Sequence, residues 1–406
     1  MTTSGTFFQR GNRPAWPIRD ICVLVTAMLL VSTCFPAFAA SPSVPGQVGL
    51  GKVLTTKDGG QIYGFDINQS GDDGVLASAQ NSQNGFLVSM ETFDQNTGKI
   101  TRSFKKYDGP RNSYSVDGIF SGDVGLVTRY IIPKGQIYAR RVYDAMNPVT
   151  AEKFTGSWTP PLKDVNVNQV AENQATSTSV VFVIELKKQD IPDLIVSNVG
   201  ANTFSNVIPL DPNLFGGGNG PQLGQYAAAN EAVLALSPDG GAVGGDAPLN
   251  MLVDLTTGKT TKFNGYNNGA FHAGYVNGLA TDINTGVTAT DTELNAQVEL
   301  YDMASQKGIA AVQLPCTGNT DQIYSGSGIA ADPVNKLFLV TETYDACNGG
   351  ADSVIAVYDE SGNSVETITG FKFSIGEPAP VINPSKRMGW AFGGPNGVSQ
   401  LQQFFY

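Results

Sequence analysis

The chain has one histidine, His272, and only four cysteines in 406 residues. A lone imidazole excludes paired-His zinc sites and His relays. The four thiols, two of them within the first forty residues, cannot build a structural zinc site of the all-cysteine or mixed Cys/His kind. Charge is scarce too: 15% of residues are Asp, Glu, Lys or Arg, and acids outnumber bases 36 to 25. That balance opposes polyanionic partners, because nucleic-acid binding needs a basic face and an anionic membrane surface repels an acidic chain. No stretch reaches eighteen consecutive apolar residues, so no membrane span is expected. Gly326-Ser327-Gly328 begins a strand and is not a strand-to-helix nucleophile elbow. Gly216-Gly217-Gly218-Asn219-Gly220 lacks the Lys-Ser/Thr and helix of a phosphate loop.

What is present begins with a targeting segment. Arg10, Arg13 and Arg19 precede an apolar run from Ile21 to Val31, and Ala37-Phe38-Ala39 supplies small residues for cleavage, so residues 1–39 read as a signal peptide. The mature chain then starts near Ala40, carries 22 basic and 35 acidic residues, and is exported to a periplasmic or extracellular space. Val31-Ser32-Thr33-Cys34 is a poor lipidation signal because Thr33 stands where Gly or Ala is needed, so no lipid anchor is expected on Cys34. Cys316 and Cys347 remain as the only mature thiols, and an oxidising compartment predicts a disulfide between them. A loop of that size gains ~3 to 4 kcal/mol on the chain-entropy estimate.

The strongest pattern is a repeat. An aromatic or aliphatic residue followed by Asp closes an apolar run at Phe93-Asp94, Tyr143-Asp144, Val253-Asp254, Tyr301-Asp302 and Tyr358-Asp359, and Ser197-Asn198 fills the gap. The steps between anchors are 50, 54, 56, 48 and 57 residues. Short apolar strands repeated at this period mark a β-propeller whose repeats are four-stranded blades. In one blade, strands are read at Gly328–Asp332, Leu337–Thr341, Val354–Tyr358 and Val365–Thr369, with turn residues between them.

The last unit has only three strands, and an orphan strand at Gly51–Thr56 precedes the first blade. Pairing the two closes the ring and removes two sheet edges. The expectation is one all-β domain over residues 40–406, a seven-bladed propeller with blades at about 61–112, 113–164, 165–218, 219–270, 271–323, 324–373, and 374–406 plus 48–60. It is expected to be a monomer.

Antiparallel blades put the a-to-b and c-to-d turns on one face and the d-to-a and b-to-c loops on the other. The turns are short and stereotyped, as in Ser237-Pro238-Asp239-Gly240, and Asp72-Asp73 among them reads as a solvated turn. The opposite loops are long and irregular, so function is expected there. Tyr114, Phe215, Phe271, Tyr275 and Tyr324 fall in or beside those loops as candidate ligand-binding aromatics. At the channel mouth the residue before each blade glycine is Tyr63, Asp117, Asn277 or Ser327, and Glu377 follows fifty residues on. Such a ring is polar either because water fills the mouth or because Asp117, Asn277 and Glu377 hold a hard cation such as calcium. His272 is a packing residue or a general base at that mouth.

Ser327-Gly328-Ile329-Ala330-Ala331-Asp332-Pro333 followed by Leu337–Thr341 resembles the repeats of YVTN and NHL propellers, over two blades and fragments of two more. That resemblance implies the fold and, for many such exported propellers, a role in binding proteins or glycans. Glu377-Pro378 and Asn277-Gly278-Leu279 are similar in kind to ligand phrases of gluconolactonase and paraoxonase-like propellers, which implies a channel metal and lactone or ester hydrolysis. The leading expectation is an exported, non-catalytic propeller that binds a small molecule, glycan or protein and needs no cofactor. The alternative is a calcium-dependent hydrolase.

Overall fold

The computed structural model describes residues 48 to 406 with breaks at 110–115, 132–139, 147–156, 213–221, 237–248, 265–275, 314–324, 343–352 and 372–378, and shorter breaks of one to five residues elsewhere. Among the described residues the regular elements are strands, apart from single 3-10 turns at Ala227–Ala229 and Pro384–Lys386.

The strands run in chain order as β1 (Gly49–Thr55), β2 (Gln61–Ile67), β3 (Asp73–Ser82), β4 (Gly85–Asp94), β5 (Lys99–Gly109), β6 (Val116–Ser121), β7 (Val124–Ile131), β8 (Arg140–Met146), β9 (Ser157–Trp158), β10 (Val165–Asn173), β11 (Thr178–Glu185), β12 (Ile191–Asn198), β13 (Thr203–Pro209) and β14 (Gln222–Tyr226). They continue as β15 (Glu231–Leu236), β16 (Leu249–Asp254), β17 (Thr260–Asn264), β18 (Val276–Thr281), β19 (Val287–Thr292), β20 (Gln297–Asp302), β21 (Lys307–Gln313), β22 (Ser325–Asp332), β23 (Leu337–Glu342), β24 (Ser353–Asp359), β25 (Ser364–Phe371), β26 (Val381–Asn383), β27 (Met388–Gly394) and β28 (Gly397–Phe405).

Six of the sheets are antiparallel meanders of four consecutive strands: β2–β5, β6–β9, β10–β13, β14–β17, β18–β21 and β22–β25. The seventh sheet has the order β1-β28-β27-β26 and joins the two ends of the described chain. Innermost strands touch in the succession β2, β6, β10, β14, β18, β22, β26 and back to β2. The fold is an all-β propeller.

Each sheet is covered on both faces by its neighbours, which is why the middle strands are continuous apolar runs and do not alternate. Every residue of β23, Leu337 to Glu342, is buried. The core is accordingly a series of layers between sheets. Phe182, Leu194 and Val196 of one sheet pack on Leu234, Met251 and Val253 of the next, and Phe338 and Tyr358 pack on Val298 and Leu300.

The recurring Asp phrase has a local cause. Asp94 Oδ1 accepts the N–H groups of Asn96 and Thr97 at 2.9 and 2.8 Å, and Asp254 Oδ1 accepts those of Thr256 and Thr257 at 2.8 Å each. Asp302 and Asp359 accept two N–H groups in the same way, and Asn198 accepts that of Ala201 at 2.8 Å. These side chains close the β-to-β turn at the end of the third strand, and Gly258 follows at φ +72°, a left-handed conformation that glycine adopts without strain.

Ring closure is dense. β1 pairs antiparallel with β28 in the register Gly49 to Phe405, Leu54 to Leu401 and Thr55 to Gln400. The side chain of Gln95, fully buried, donates to the carbonyls of Asn68 and Asp73 at 2.7 Å each and accepts from Asn383 Nδ2 at 3.1 Å. Trp390 Nε1 and Gln403 Nε2 both donate to the Gln95 carbonyl. Asp72, exposed in its turn, pairs with Lys386 across the same junction.

Candidate binding cavity in the central channel

The inner strands enclose a cavity of about 360 Å³ along the propeller axis. It is walled by residues from β2, β10, β14, β18, β22 and β26 and by the first turns after several of them. The inner strands come this close because glycines remove side-chain volume. A Cβ on Gly224 would lie 2.5 Å from Leu279 Cδ2, and one on Gly328 would lie 2.3 Å from Ala379 Cα.

One side of the cavity is polar. Asp66, half-buried near the end of β2, accepts the N–H of Ile67 through Oδ1 at 2.8 Å and that of Phe120, on the next sheet, through Oδ2 at 2.6 Å. Glu172, near the end of β10, accepts the Ser179 hydroxyl at 3.4 Å. Burial raises Asp66 from its ordinary 3.8 to about 7, against the two N–H bonds that favour its ionised form. Glu172 is pushed well above its ordinary value by burial and then by the negative charge of Asp66, with the Ser179 bond pulling the other way.

Gln225 of β14 lines the same cavity at 6% exposure, and its Oε1 has no hydrogen-bond partner among the described residues. Thr281 contributes a hydroxyl that is already paired with Thr288 at 2.9 Å. Phe65, Leu223, Leu279, Ile329 and Val381 supply hydrocarbon wall. At the rim Gln174 reaches from the turn after β10 to the turn after β2, donating to Ile67 O at 3.0 Å and accepting from Gln69 N at 2.8 Å.

The cavity opens toward the a-to-b turns, the face to which sequence reading assigned only turn chemistry. Asp66, Glu172 and Gln225 escape the sequence reading because the residue before the blade glycine marks the opposite end of the inner strands. A signal existed two residues after that glycine, where Ala280 and Ala330 stand in β18 and β22 and the first blade carries Asp66. Asp117 and Asn277 lie on the inner strands β6 and β18, and Ser327 on β22, with their side chains outside the described residues. Glu377, His272, Tyr114, Phe215, Phe271, Tyr275, Tyr324, Cys316 and Cys347 lie outside the described residues altogether, as does the 1–39 segment. Tyr63, expected at the channel mouth, packs instead against Val75, Ala77 and Met90 in the layer between two sheets. Among the described residues no helix is long and apolar enough to cross a membrane, and no group of three or more His, Cys, Asp or Glu side chains could hold a metal ion.

No protein-family model matches the chain, and no curated protein sequence does. Among solved structures it is similar to the β-propeller domain of Cps50 (Swd1) from Myceliophteria thermophila, at 10% identity and a TM-score of 0.55 over 89% of this chain and 100% of that one. It is also similar to Raptor from Chaetomium thermophilum, at 10% identity and a TM-score of 0.54 over 87% of this chain and 28% of that one. At such identity the likeness is one of fold, and the fold it shows is the β-propeller.

Proposed function

We propose that this protein is an exported, non-catalytic binding scaffold, in which a signal peptide at 1–39 is removed and residues 40–406 close as one ring of seven blades. The blade count is supported by the four-stranded sheets and by the circular succession of their inner strands. The observation that carries the binding role is the axial cavity, whose wall joins two half-buried carboxylates, and a Gln225 side chain whose buried amide oxygen has no partner among the described residues, to hydrocarbon. A small molecule fits its size. A glycan or protein would engage the ring at its rim, and Tyr114, Phe215, Phe271, Tyr275 and Tyr324 are further candidates for ligand contact by their place in the sequence.

The test is saturable binding by the purified mature chain to panels of glycans, peptides and small molecules, read by thermal shift and titration calorimetry, with Tyr114→Ala and Tyr275→Ala variants reporting on the loop face. Lactone or ester hydrolysis that requires calcium and is lost with a chelator would overturn the non-catalytic reading. N-terminal sequencing of exported protein should begin at or near Ala40.

A further inference from the structure

The described wall of the cavity carries two acids, Asp66 and Glu172, and no Lys, Arg or His. The two carboxylates come from different sheets, and Gln225 is a third polar side chain from yet another. Asp66 oxygens already take one N–H each, so each keeps acceptor capacity for one further donor, and Gln225 Oε1 accepts from no described residue. Three acceptor side chains with no cation on the described wall call for a ligand that brings both donors and positive charge.

Hydrocarbon surrounds them on Phe65, Leu223, Leu279, Ile329 and Val381. A hard inorganic cation exchanges its water for six to eight oxygens, and this wall replaces most of that shell with carbon. An ammonium group carries three donors on an aliphatic body, so one end matches the acidic side and the other matches the hydrocarbon. Exposed Gln69 and half-buried Glu172, Gln174 and Pro333 leave the cavity open at the turn face.

Resting on the binding role proposed above, we propose that the axial cavity is a site for a small organic cation, a primary amine on a short aliphatic body, held by Asp66, Glu172 and Gln225. The bound ammonium sets one positive charge beside Asp66 and Glu172, where the charge of Asp66 otherwise opposes ionisation of Glu172, and its remaining donors are available to the Gln225 side chain. Asp66 and Glu172 are the titratable side chains on the described wall; burial raises both, Asp66 to about 7, so a cation that favours the ionised form of Asp66 expels protons near neutral pH.

The experiment titrates the full mature chain with n-pentylamine, with 1-pentanol as an uncharged probe of the same shape, and with calcium chloride. The expected result is saturable one-to-one binding of pentylamine, at least tenfold weaker binding of pentanol, and at least tenfold loss of pentylamine affinity in Asp66→Asn and in Glu172→Gln, with a smaller loss in Gln225→Leu. Should a variant fail to fold, the unmodified protein still decides: pentylamine binding at pH 6.5 should release protons, seen as a heat that depends on buffer ionisation enthalpy, and pentanol should release none. Equal affinity for the two probes, no proton release, or unchanged affinity in folded variants overturns the proposal. Calcium binding lost in both acid variants, without pentylamine binding, assigns an inorganic ion and overturns it too. Failure of pentylamine alongside saturable binding of another ligand sinks this inference alone, whereas no saturable binding by any probe sinks the binding role with it.

Discussion

Replacing Leu54 by Ala should loosen the ring at its seam. Leu54 lies on β1, fully buried among Ile62, Phe65, Phe93, Trp390 and Leu401, and so holds the N-terminal strand to both the last sheet and the first. Truncating a leucine in such a site costs about 2 to 5 kcal/mol, from lost transfer energy and the cavity left behind. Two edge-to-face ring pairs limit relaxation around it: Phe93 with Trp390 at 5.5 Å and Phe65 with Phe392 at 4.9 Å. They place the expected loss in the upper half of that range. Against a total stability on the order of 5 to 15 kcal/mol, this is a large fraction. The control is Val53→Ala, one residue away, whose side chain is 38% exposed on the outer side of the strand and should cost less than about 1 kcal/mol. Urea unfolding of both variants and the parent provides the assay, with a shifted midpoint and unchanged slope expected for Leu54→Ala. Equal midpoints for the two variants would refute the seam. Deleting residues 48–56 should go further, exposing the β28 edge and promoting self-association detectable by light scattering.

Asp66→Asn should change how stability depends on pH. In the folded protein Asp66 titrates at about 7, above its ordinary 3.8, so the native state holds a proton that the unfolded chain has released. Its contribution is favourable only below about pH 4 and is lost as pH rises to 7, a fall of up to about 4 kcal/mol, less screening by cavity water. Urea midpoints at pH 5 and 8 should therefore differ more in the parent than in the variant, and parallel profiles would count against a buried, ionising Asp66. Gln95→Leu should lose about 1 to 3 kcal/mol, because it removes bonds to the Asn68 and Asp73 carbonyls and to Asn383, each of which keeps another partner. A variant that melts with the parent would show that water replaces those bonds. Exported protein should carry a Cys316–Cys347 disulfide, detected by non-reducing peptide mapping. The double Ser variant should keep its far-UV spectrum and lose protease resistance first near residues 342–352, and free thiols at both positions in the parent would end that expectation.

The repeat, the all-β class and the pairing of an N-terminal strand with the C-terminal unit are legible in the sequence. Each depends on a local rule. Asp94, Asp254, Asp302 and Asp359 recur because one carboxylate oxygen can take two backbone N–H groups and close a turn, and such chemistry needs only neighbours in sequence. The orphan strand was visible because a three-stranded unit leaves an edge, and an edge must be covered.

Asp66, Glu172 and Gln225 were not legible as a group. They stand 106 and 53 residues apart in the chain, on sheets that no local pattern relates, and each alone reads as a polar residue near a strand end. Only ring closure brings the inner strands around one axis, and only there does burial raise Asp66, and burial with the charge of Asp66 raise Glu172. The packed layers likewise took Tyr63 from the channel mouth into the space between sheets, because an aromatic ring gains more from hydrocarbon contact than from a wet channel. Turn chemistry is written in adjacent residues. The cavity's charge and its orphaned oxygen exist only where distant strands meet.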